Sequence, residues 1–306
     1  MYRYNRAHFF NPLIAIILGA FMASCGEYQA ILKSQDNELW YQKGMEYYAE
    51  GDYAKSANLL GGVLTHFAGT ARYDSLVTTY AYALVELKDY YTAAHYFSDY
   101  VKTYPSSSKC KECQYMAGYC YYKLSPKVEL DQKDSQSAID ELLLYINLYP
   151  DGDKVKDAEQ MVQEMEDKLA YKAYLSAKLY FDLGNYMGNN YNSAVITAQN
   201  CLKKYPDTVH REELSFLILR AKYIQADRSV LAKQAERYRD TIDEYYSFIN
   251  EYPVSQYKSD ADKILSRSEK GLAEAEKLLP PSEDDMDYYK NYGQRQKRLS
   301  QDIQED

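Results

Sequence analysis

Two cysteines three positions apart, Cys110 and Cys113, have a spacing that can bind metal or support redox chemistry. A zinc site needs two further ligands, and only Cys120 follows, seven residues later. On a helix these three residues share one face and could be core side chains. Two states stay open for these three residues and Cys201: buried or free thiols, and one disulfide formed in an oxidising compartment. A metal site is less favoured. We predict no metal site and no cofactor.

The sequence lacks the motifs that carry enzyme chemistry. Its four histidines stand far apart, and it has no nucleophile elbow, no phosphate loop and no zinc-protease motif. Acidic clusters at residues 164–167 and 283–285 are typical of solvated helix faces and tails. We therefore predict no catalytic residue and a protein that is not an enzyme.

Cys25 is a candidate for covalent modification because of the residues that precede it. Arg3 and Arg6 form a basic start, and residues 13–21 form an apolar run that is too short to span a bilayer. Residues 22–25, Met-Ala-Ser-Cys, resemble the bacterial lipobox. The resemblance implies cleavage before Cys25 and attachment of diacylglycerol to its sulfur. The alternative is an ordinary secreted protein with a chance cysteine.

These features predict a lipoprotein signal peptide over residues 1–24 and lipidation of Cys25. Several acyl chains hold a protein at a membrane lastingly, since each buried methylene contributes about 0.8 kcal/mol. Gly26 follows the cysteine where an Asp would stand in retained lipoproteins, which by analogy favours outer-membrane sorting. We therefore predict a lipid-anchored protein of the outer membrane that faces the periplasm.

Composition and charge restrict the partners of the chain. Of 306 residues, 46% are hydrophobic and 26% charged, which suits a folded domain. The net charge is -9, and removal of Arg3 and Arg6 with the signal peptide makes it more negative. This charge argues against nucleic acid and against binding of anionic lipid by surface charge. Tyr is the outlier, with 36 copies against 8 Phe and 1 Trp.

Five segments repeat one pattern, which we call the cassette, and its clearest copy is YNSAVITAQNCLKKYP from Tyr191 to Pro206. In each copy apolar residues follow a small residue at four, eight and eleven positions, which places one apolar stripe on a helix face. A tyrosine-proline pair ends the four later copies, where proline stops the helix, and Phe67-Ala68 ends the first. The small residues are Ser56, Ala93, Ala138, Ala194 and Thr241.

The cassettes are predicted to be the second helices of five helix pairs. The spacing of Trp40, Gly44, Tyr47 and Tyr53 resembles that of a tetratricopeptide repeat. We therefore predict an all-α, tetratricopeptide-like right-handed superhelix of about five helix pairs plus a C-terminal capping helix, over residues 37–279.

Three further segments complete the predicted organisation. Residues 154–168 are expected to form an additional helix before the helix over residues 171–183. Residues 25–36 are predicted to be a tether from the lipidated cysteine. Residues 280–306 hold many charges without a sustained apolar period, which predicts a disordered acidic tail.

A lipobox cysteine, a short tether and repeats with recurrent Tyr-Pro ends resemble the BamD family of outer-membrane assembly lipoproteins. The first helix pair, GMEYYAEGDYAKSANLL over residues 44–60, carries the resemblance most strongly. It implies a periplasmic scaffold subunit of the machinery that folds β-barrel proteins into the outer membrane. The implied partners are the barrel subunit, bound through its periplasmic domains, other assembly lipoproteins and unfolded outer-membrane proteins.

Tetratricopeptide solenoids resemble one another in lining a groove with the first helix of each pair. With Gly44, Ala81 and Gly118 as close-packing positions, nine neighbours are predicted to face such a groove, and six are tyrosines. Tyrosine offers a stacking surface and a hydroxyl, which would suit a carboxy-terminal peptide with an aromatic end. The alternative is that Tyr replaces Phe and the rings pack between helices. The nine positions are Tyr41, Met45, Tyr48, Thr78, Tyr82, Val85, Tyr115, Tyr119 and Tyr122.

Two other functions are compatible with a lipid-anchored helical repeat. A glycan-capture lipoprotein of polysaccharide utilisation is disfavoured because the insertions are short and Trp occurs once. An adaptor for peptidoglycan or division enzymes stays open, since a fold does not define a function.

Overall fold

The computed structural model describes residues 26–278, and every regular element in that range is an α-helix. No helix among these residues is long and apolar enough to cross a membrane. The first helix, α1, covers residues 26–34. The later helices are α2 (Asn37–Ala49), α3 (Tyr53–Phe67), α4 (Tyr73–Glu86), α5 (Tyr90–Thr103), α6 (Cys110–Leu124), α7 (Lys133–Leu148), α8 (Val155–Leu183), α9 (Asn190–Lys204), α10 (Arg211–Asp227), α11 (Leu231–Glu251) and α12 (Lys258–Leu278).

The five cassettes form α3, α5, α7, α9 and α11, as the sequence predicted. Each small residue of the pattern is fully buried, with 0% of its surface exposed. The residue four positions later is also buried in every copy, so the predicted apolar stripe faces the core. These residues are Leu60, Phe97, Leu142, Ala198 and Tyr245. The all-α arrangement of successive helix pairs is thereby confirmed.

Two glycines set how closely the helices of a pair approach. A Cβ atom on Gly44 of α2 would lie 2.5 Å from the Leu60 side chain of α3. A Cβ atom on Gly118 of α6 would lie 2.7 Å from the Leu142 side chain of α7 and 3.1 Å from its backbone nitrogen. Both leucines are fully buried and have no room to move aside. Glycine is therefore required at these contacts by the space available.

The starts of three cassette helices are capped by an acidic or amide side chain. Asp52 and Asp89 immediately precede α3 and α5, and their side chains accept hydrogen bonds from the backbone N–H groups of Lys55 and Thr92. Asn189 caps α9 in the same way. Such a cap satisfies a donor that the first helical turn leaves without a partner.

The ends of three cassette helices share one backbone conformation. Tyr104, Tyr205 and Tyr252 have φ angles of -125°, -126° and -129°, outside the helical region. Each stands before a proline, which disfavours a helical conformation in the residue that precedes it. The Tyr-Pro pair therefore ends the helix at the predicted position.

The first compact unit comprises the described residues up to Pro126 together with Lys133–Val162. Its core joins the inner sides of α3, α4, α5 and α6. Leu60 and Val63 of α3 pack there with Leu76 of α4, Phe97 of α5 and Ala117 of α6. All five side chains have 0% exposure, so the pairs share one continuous core.

The second compact unit comprises Lys127–Gln132 and the described residues from Gln163 onwards. One of its cores joins α8, α9 and α10 around Ala177, Ala194 and Leu214. Another joins α10, α11 and α12 and includes Leu219 and Phe248. Since α12 buries an apolar face against α10 and α11, it occupies the place predicted for the capping helix.

Residues 154–168 are helical almost as predicted, but the predicted break between them and the helix over residues 171–183 is wrong. A single helix of 29 residues, α8, covers Val155–Leu183 without interruption. The sequence of this stretch contains neither proline nor glycine, so nothing in it ends a helix.

The segment predicted as a tether is helical in its described part and packs on the first helix pair. The Trp40 indole N–H donates to the backbone oxygen of Ile31 at 2.9 Å. Asn58 donates to the Tyr28 hydroxyl at 2.6 Å, and Ile31 is buried. The segment is too short to show a helical period in the sequence. Its burial also depends on side chains of α2 and α3, which local spacing does not reveal. The predicted signal peptide, Cys25 and the tail 280–306 lie outside the described residues.

We expect Gly118→Val to lower the free energy of unfolding by about 2 kcal/mol, because the added carbons overlap Leu142. Urea unfolding followed by circular dichroism measures the change. Gly26→Ala is the matched control, since a Cβ atom there meets nothing within 4 Å. Equal stability of the Gly118→Val protein and the unmodified chain would show that the α6–α7 contact can adjust.

Candidate functional site

The first helices of three pairs, α2, α4 and α6, lie side by side in the first unit. Arg72, which precedes α4, forms an ion pair with Glu38 of α2. Lys109, which precedes α6, forms an ion pair with Asp74 of α4 at 2.9 Å and donates to the Thr78 hydroxyl at 3.1 Å. These contacts join the starts of the three helices. We call the surface formed by the nine predicted groove positions on α2, α4 and α6 the inner face.

The nine residues predicted to line a groove lie on α2, α4 and α6 and are all at least partly buried. Thr78 and Tyr115 are buried. The other seven are half-buried, so each retains part of its surface for contact with a ligand. Those seven are Tyr41, Met45, Tyr48, Tyr82, Val85, Tyr119 and Tyr122.

Three of the predicted tyrosines pack against the second helix of their own pair. The Tyr41 ring lies 5.2 Å from Phe67 between centroids, and the Tyr82 ring lies 5.1 Å from Phe97. The Tyr115 ring lies 5.5 Å from the Tyr145 ring. These contacts match the alternative in which tyrosine rings fill space between helices. The hydroxyl groups then decide what else these residues can do.

Tyr82 holds its hydroxyl in an unusual environment. The oxygen is buried and makes no well-formed hydrogen bond among the described residues, although the Glu112 carboxylate lies close enough to interact with it. Burial, and then the neighbouring Glu112 carboxylate, raise the pKa of Tyr82 far above its usual range. A buried hydroxyl without a partner costs free energy that a ligand acceptor would recover. Tyr82 is therefore a candidate on the inner face for donating a hydrogen bond to a ligand that displaces the side chains covering its hydroxyl.

Tyr48 of α2 extends the same polar surface. Burial is the largest cause that raises the pKa of its hydroxyl. The proximity of Tyr53 and of the carboxylates Glu86 and Glu112 raises this pKa further. The inner face around Tyr48 and Tyr82 thus combines aromatic rings with two acidic groups. It suits a segment that presents aromatic or apolar side chains and backbone groups.

A cavity of about 400 Å³ adjoins Tyr115 between α6, α7 and the turn before α8. Lys111 and Asp153 form an ion pair of 2.9 Å at its edge. The Tyr145 hydroxyl, also in the lining, is buried and without a hydrogen-bond partner among the described residues. Sequence spacing did not indicate four further lining residues, which are Lys111, Met116, Tyr145 and Asp153. Lys111 and Tyr115 are four positions apart on α6, but the turn that carries Asp153 could not be placed from spacing.

The four cysteines of the described chain are free and buried. Burial raises the pKa of Cys120 to about 12. Burial, and then the Glu112 carboxylate, raise the pKa of Cys113 to about 12. The disulfide that the sequence left open is not formed, and residues 26–278 hold no group of three or more metal-ligating side chains. The thiols act as small core side chains.

A family model described as YfiO, outer membrane lipoprotein, matches residues 33–188 and 183–279. A relative from Aquifex aeolicus (strain VF5), provisionally named outer membrane protein assembly factor BamD, is 27% identical over 270 residues. The match covers 87% of this chain and 81% of the relative. Both matches extend across the helix pairs of both units.

Two solved structures are similar in part. One is the TPR2AB-domain:pHSP90-complex of yeast Sti1, with a TM-score of 0.33, 15% identity, and coverage of 76% of this chain and 98% of that chain. The other is the apo form of RapI, with a TM-score of 0.31, 16% identity, and coverage of 87% and 97%.

We expect the free energy of unfolding to fall as the pH rises from 9 to 12. The folded thiols of Cys113 and Cys120 stay protonated up to about pH 12, whereas unfolded thiols ionise near the ordinary value of 9.0. The folded state then binds more protons, so a rise in pH favours unfolding by about 1.4 kcal/mol per thiol and pH unit.

Urea unfolding at stepwise pH measures this slope, and tyrosines with raised pKa values, such as Tyr115 at about 12, add to it above pH 10. In the matched variant Cys120→Ala, the free energy of unfolding should fall less steeply with pH, by the contribution of one thiol, whatever the stability of this variant at neutral pH. A stability that is constant from pH 9 to 12 would contradict the expectation.

Proposed function

Since the chain belongs to the YfiO family of outer membrane lipoproteins, we propose that it is a scaffold subunit of the machinery that assembles β-barrel proteins in the outer membrane. In this function it binds proteins and catalyses no reaction. Its partners are the barrel subunit, through that subunit's periplasmic domains, other assembly lipoproteins and unfolded outer-membrane proteins.

The extent of the family match is the observation that carries this proposal. The match includes the helices from α2 to α12. It therefore extends far beyond the tetratricopeptide-like spacing of a single helix pair. The Aquifex relative, whose name states a role in outer-membrane protein assembly, matches along 270 residues. A likeness over this length supports a shared role better than the fold does, because helical repeats serve many functions.

Lipidation of Cys25 would hold the protein on the periplasmic side of the outer membrane. The family description as an outer membrane lipoprotein and the lipobox-like residues 22–25 both support this anchor. With α1 beginning by residue 26 and packed on the first pair, the first unit would stand directly at the membrane surface. That position would suit the capture of substrates close to their site of insertion.

The inner face of the first unit would hold an extended segment of a partner or an unfolded substrate. Tyr82 would donate a hydrogen bond from its hydroxyl to a backbone carbonyl of the segment. Tyr48 would offer a half-buried ring next to it, and the cavity beside Tyr115 could accept one side chain. The helix pairs of the second unit would dock other subunits. Binding of this kind needs preorganised surfaces and no bond chemistry.

We expect the acylated protein to bring down a β-barrel subunit with periplasmic domains when it is extracted from membranes in mild detergent. Mass spectrometry of the captured proteins measures this, and Cys25→Ser is the comparison. This variant should leave the membrane fraction, lack the lipid mass and capture the barrel subunit at least tenfold less. Capture of a sugar-import channel or of peptidoglycan enzymes in place of a barrel subunit would refute the proposed function and leave the family assignment intact.

We expect Tyr82→Phe to weaken binding of an unfolded barrel-protein peptide about fivefold. The ring contact with Phe97 remains, and only the hydroxyl that would bond the peptide is lost. The free energy of unfolding should rise by about 1 kcal/mol, because an unsatisfied buried hydroxyl is removed.

Fluorescence anisotropy of a labelled peptide and urea unfolding measure the two effects. Tyr91→Phe, at a ring that is 70% exposed on α5, is the matched control and should change neither. Unchanged affinity in the Tyr82→Phe protein would remove Tyr82 from the binding surface.

A further inference from the structure

The second unit carries a cleft for which the proposed function names no occupant. It lies between α10 and α12 and has a volume of about 500 Å³. Phe216 and Ile264 are buried at its floor, and the rings of Tyr223 and Tyr257 are half-buried beside them. The rings of Phe216 and Tyr257 stack with centroids 4.5 Å apart and planes 10° apart. The floor of the cleft is therefore aromatic and apolar.

The rim of the cleft is positively charged. Arg220, Lys263 and Arg267 are exposed there, against a single acid, Asp260. Lys263 pairs with Asp260 at 2.8 Å, whereas neither arginine has a carboxylate of the described residues within 4 Å. The Arg220 guanidinium lies 4.6 Å from the centre of the Phe181 ring. Two arginines thus remain able to bind carboxylates, in a chain whose net charge is -9.

We propose that this cleft binds an acidic, aromatic peptide segment and that residues 283–289 of the same chain occupy it. Their sequence is Glu-Asp-Asp-Met-Asp-Tyr-Tyr, with four acids, two tyrosines and no base. The carboxylates pair with the rim, where arginine can bind each one through two parallel hydrogen bonds. Tyr288 and Tyr289 provide rings for the aromatic floor.

The chain can reach the cleft from the end of α12. Leu278 to Arg267 is eleven residues along the helix, or about 16 Å at the rise of an α-helix. An extended backbone of seven residues spans about 23 Å, so residues 279–285 suffice to return to Arg267. Pro280 and Pro281 cannot continue the helix and so support a change of direction there.

Helix electrostatics favours the same path. The first acids after α12 follow Leu278 by five to seven residues in sequence. Acids near the negative end of a helix dipole are unfavourable, and pairing with the cationic rim would relieve that repulsion. A tethered segment also acts at a local concentration in the millimolar range. An acidic segment of a partner therefore has to displace residues 283–289 before it can bind the cleft. This occupancy does not depend on the assembly role proposed above.

Photo-crosslinking of the full acylated chain in detergent tests the proposal. Tyr289 is replaced by benzoylphenylalanine, the sample is irradiated, and the linked peptides are identified by mass spectrometry. We expect links to peptides that contain residues 216–224 and 257–267, with a yield that tenfold dilution does not change. Arg220→Glu combined with Arg267→Glu should lower the yield at least fivefold. Adding Asp284→Lys and Asp285→Lys to that variant should restore it.

The matched control is Lys203→Glu combined with Lys233→Glu. It makes the same charge change at two exposed lysines of the second unit away from the cleft and should keep the yield. If the glutamate variant does not fold, the milder pair Arg220→Gln and Arg267→Gln replaces it. This pair must have an unchanged unfolding midpoint. A yield that falls on dilution would assign the segment to a second copy and overturn the proposal. Links to other helices, or equal losses in variant and control, would also overturn it.

Discussion

The close approach of paired helices at small residues is the contact on which the rest of the structure depends. Gly44 and Gly118 leave no room for a Cβ atom, so Leu60 and Leu142 pack directly on the backbone of the preceding helix. This contact restricts the rotation of α2 and α6 and hence the side chains that they turn towards the inner face. The tyrosines near these glycines obtain their half-buried position from it.

Tyrosine serves this structure because it buries a ring and still provides one hydrogen-bond donor. Tyr174 of α8 donates to Glu213 of α10 at 2.7 Å, and Tyr245 of α11 donates to Asp262 of α12 at 2.7 Å. Burial and these acids raise the pKa of both hydroxyls, so they stay protonated and able to donate at pH values where an exposed tyrosine would ionise. Phenylalanine would fill the same space without connecting the helices. The abundance of Tyr over Phe is thereby given a structural reason.

The two units use the same kind of helix face for surfaces of different charge. Around Tyr48 and Tyr82 of the first unit the acids are Glu86 and Glu112. The cleft between α10 and α12 of the second unit presents Arg220 among its exposed cations. Surfaces of opposite charge select different segments, since carboxylates are repelled from one and attracted to the other. A protein with both surfaces can bind segments of opposite charge.

The sequence alone determined most of the helices, their pairing and most of their ends, because apolar period, capping residues and Tyr-Pro pairs act within a few positions of the chain. It did not indicate α1 or the continuity of α8. It also indicated the tyrosines of the first helices, but not whether each ring faces a ligand or packs as Tyr82 does on Phe97. That choice depends on side chains of another helix. Only the tertiary structure could bring residues 216–224 and 257–267 together as one cleft, since no local pattern encodes contacts between distant segments.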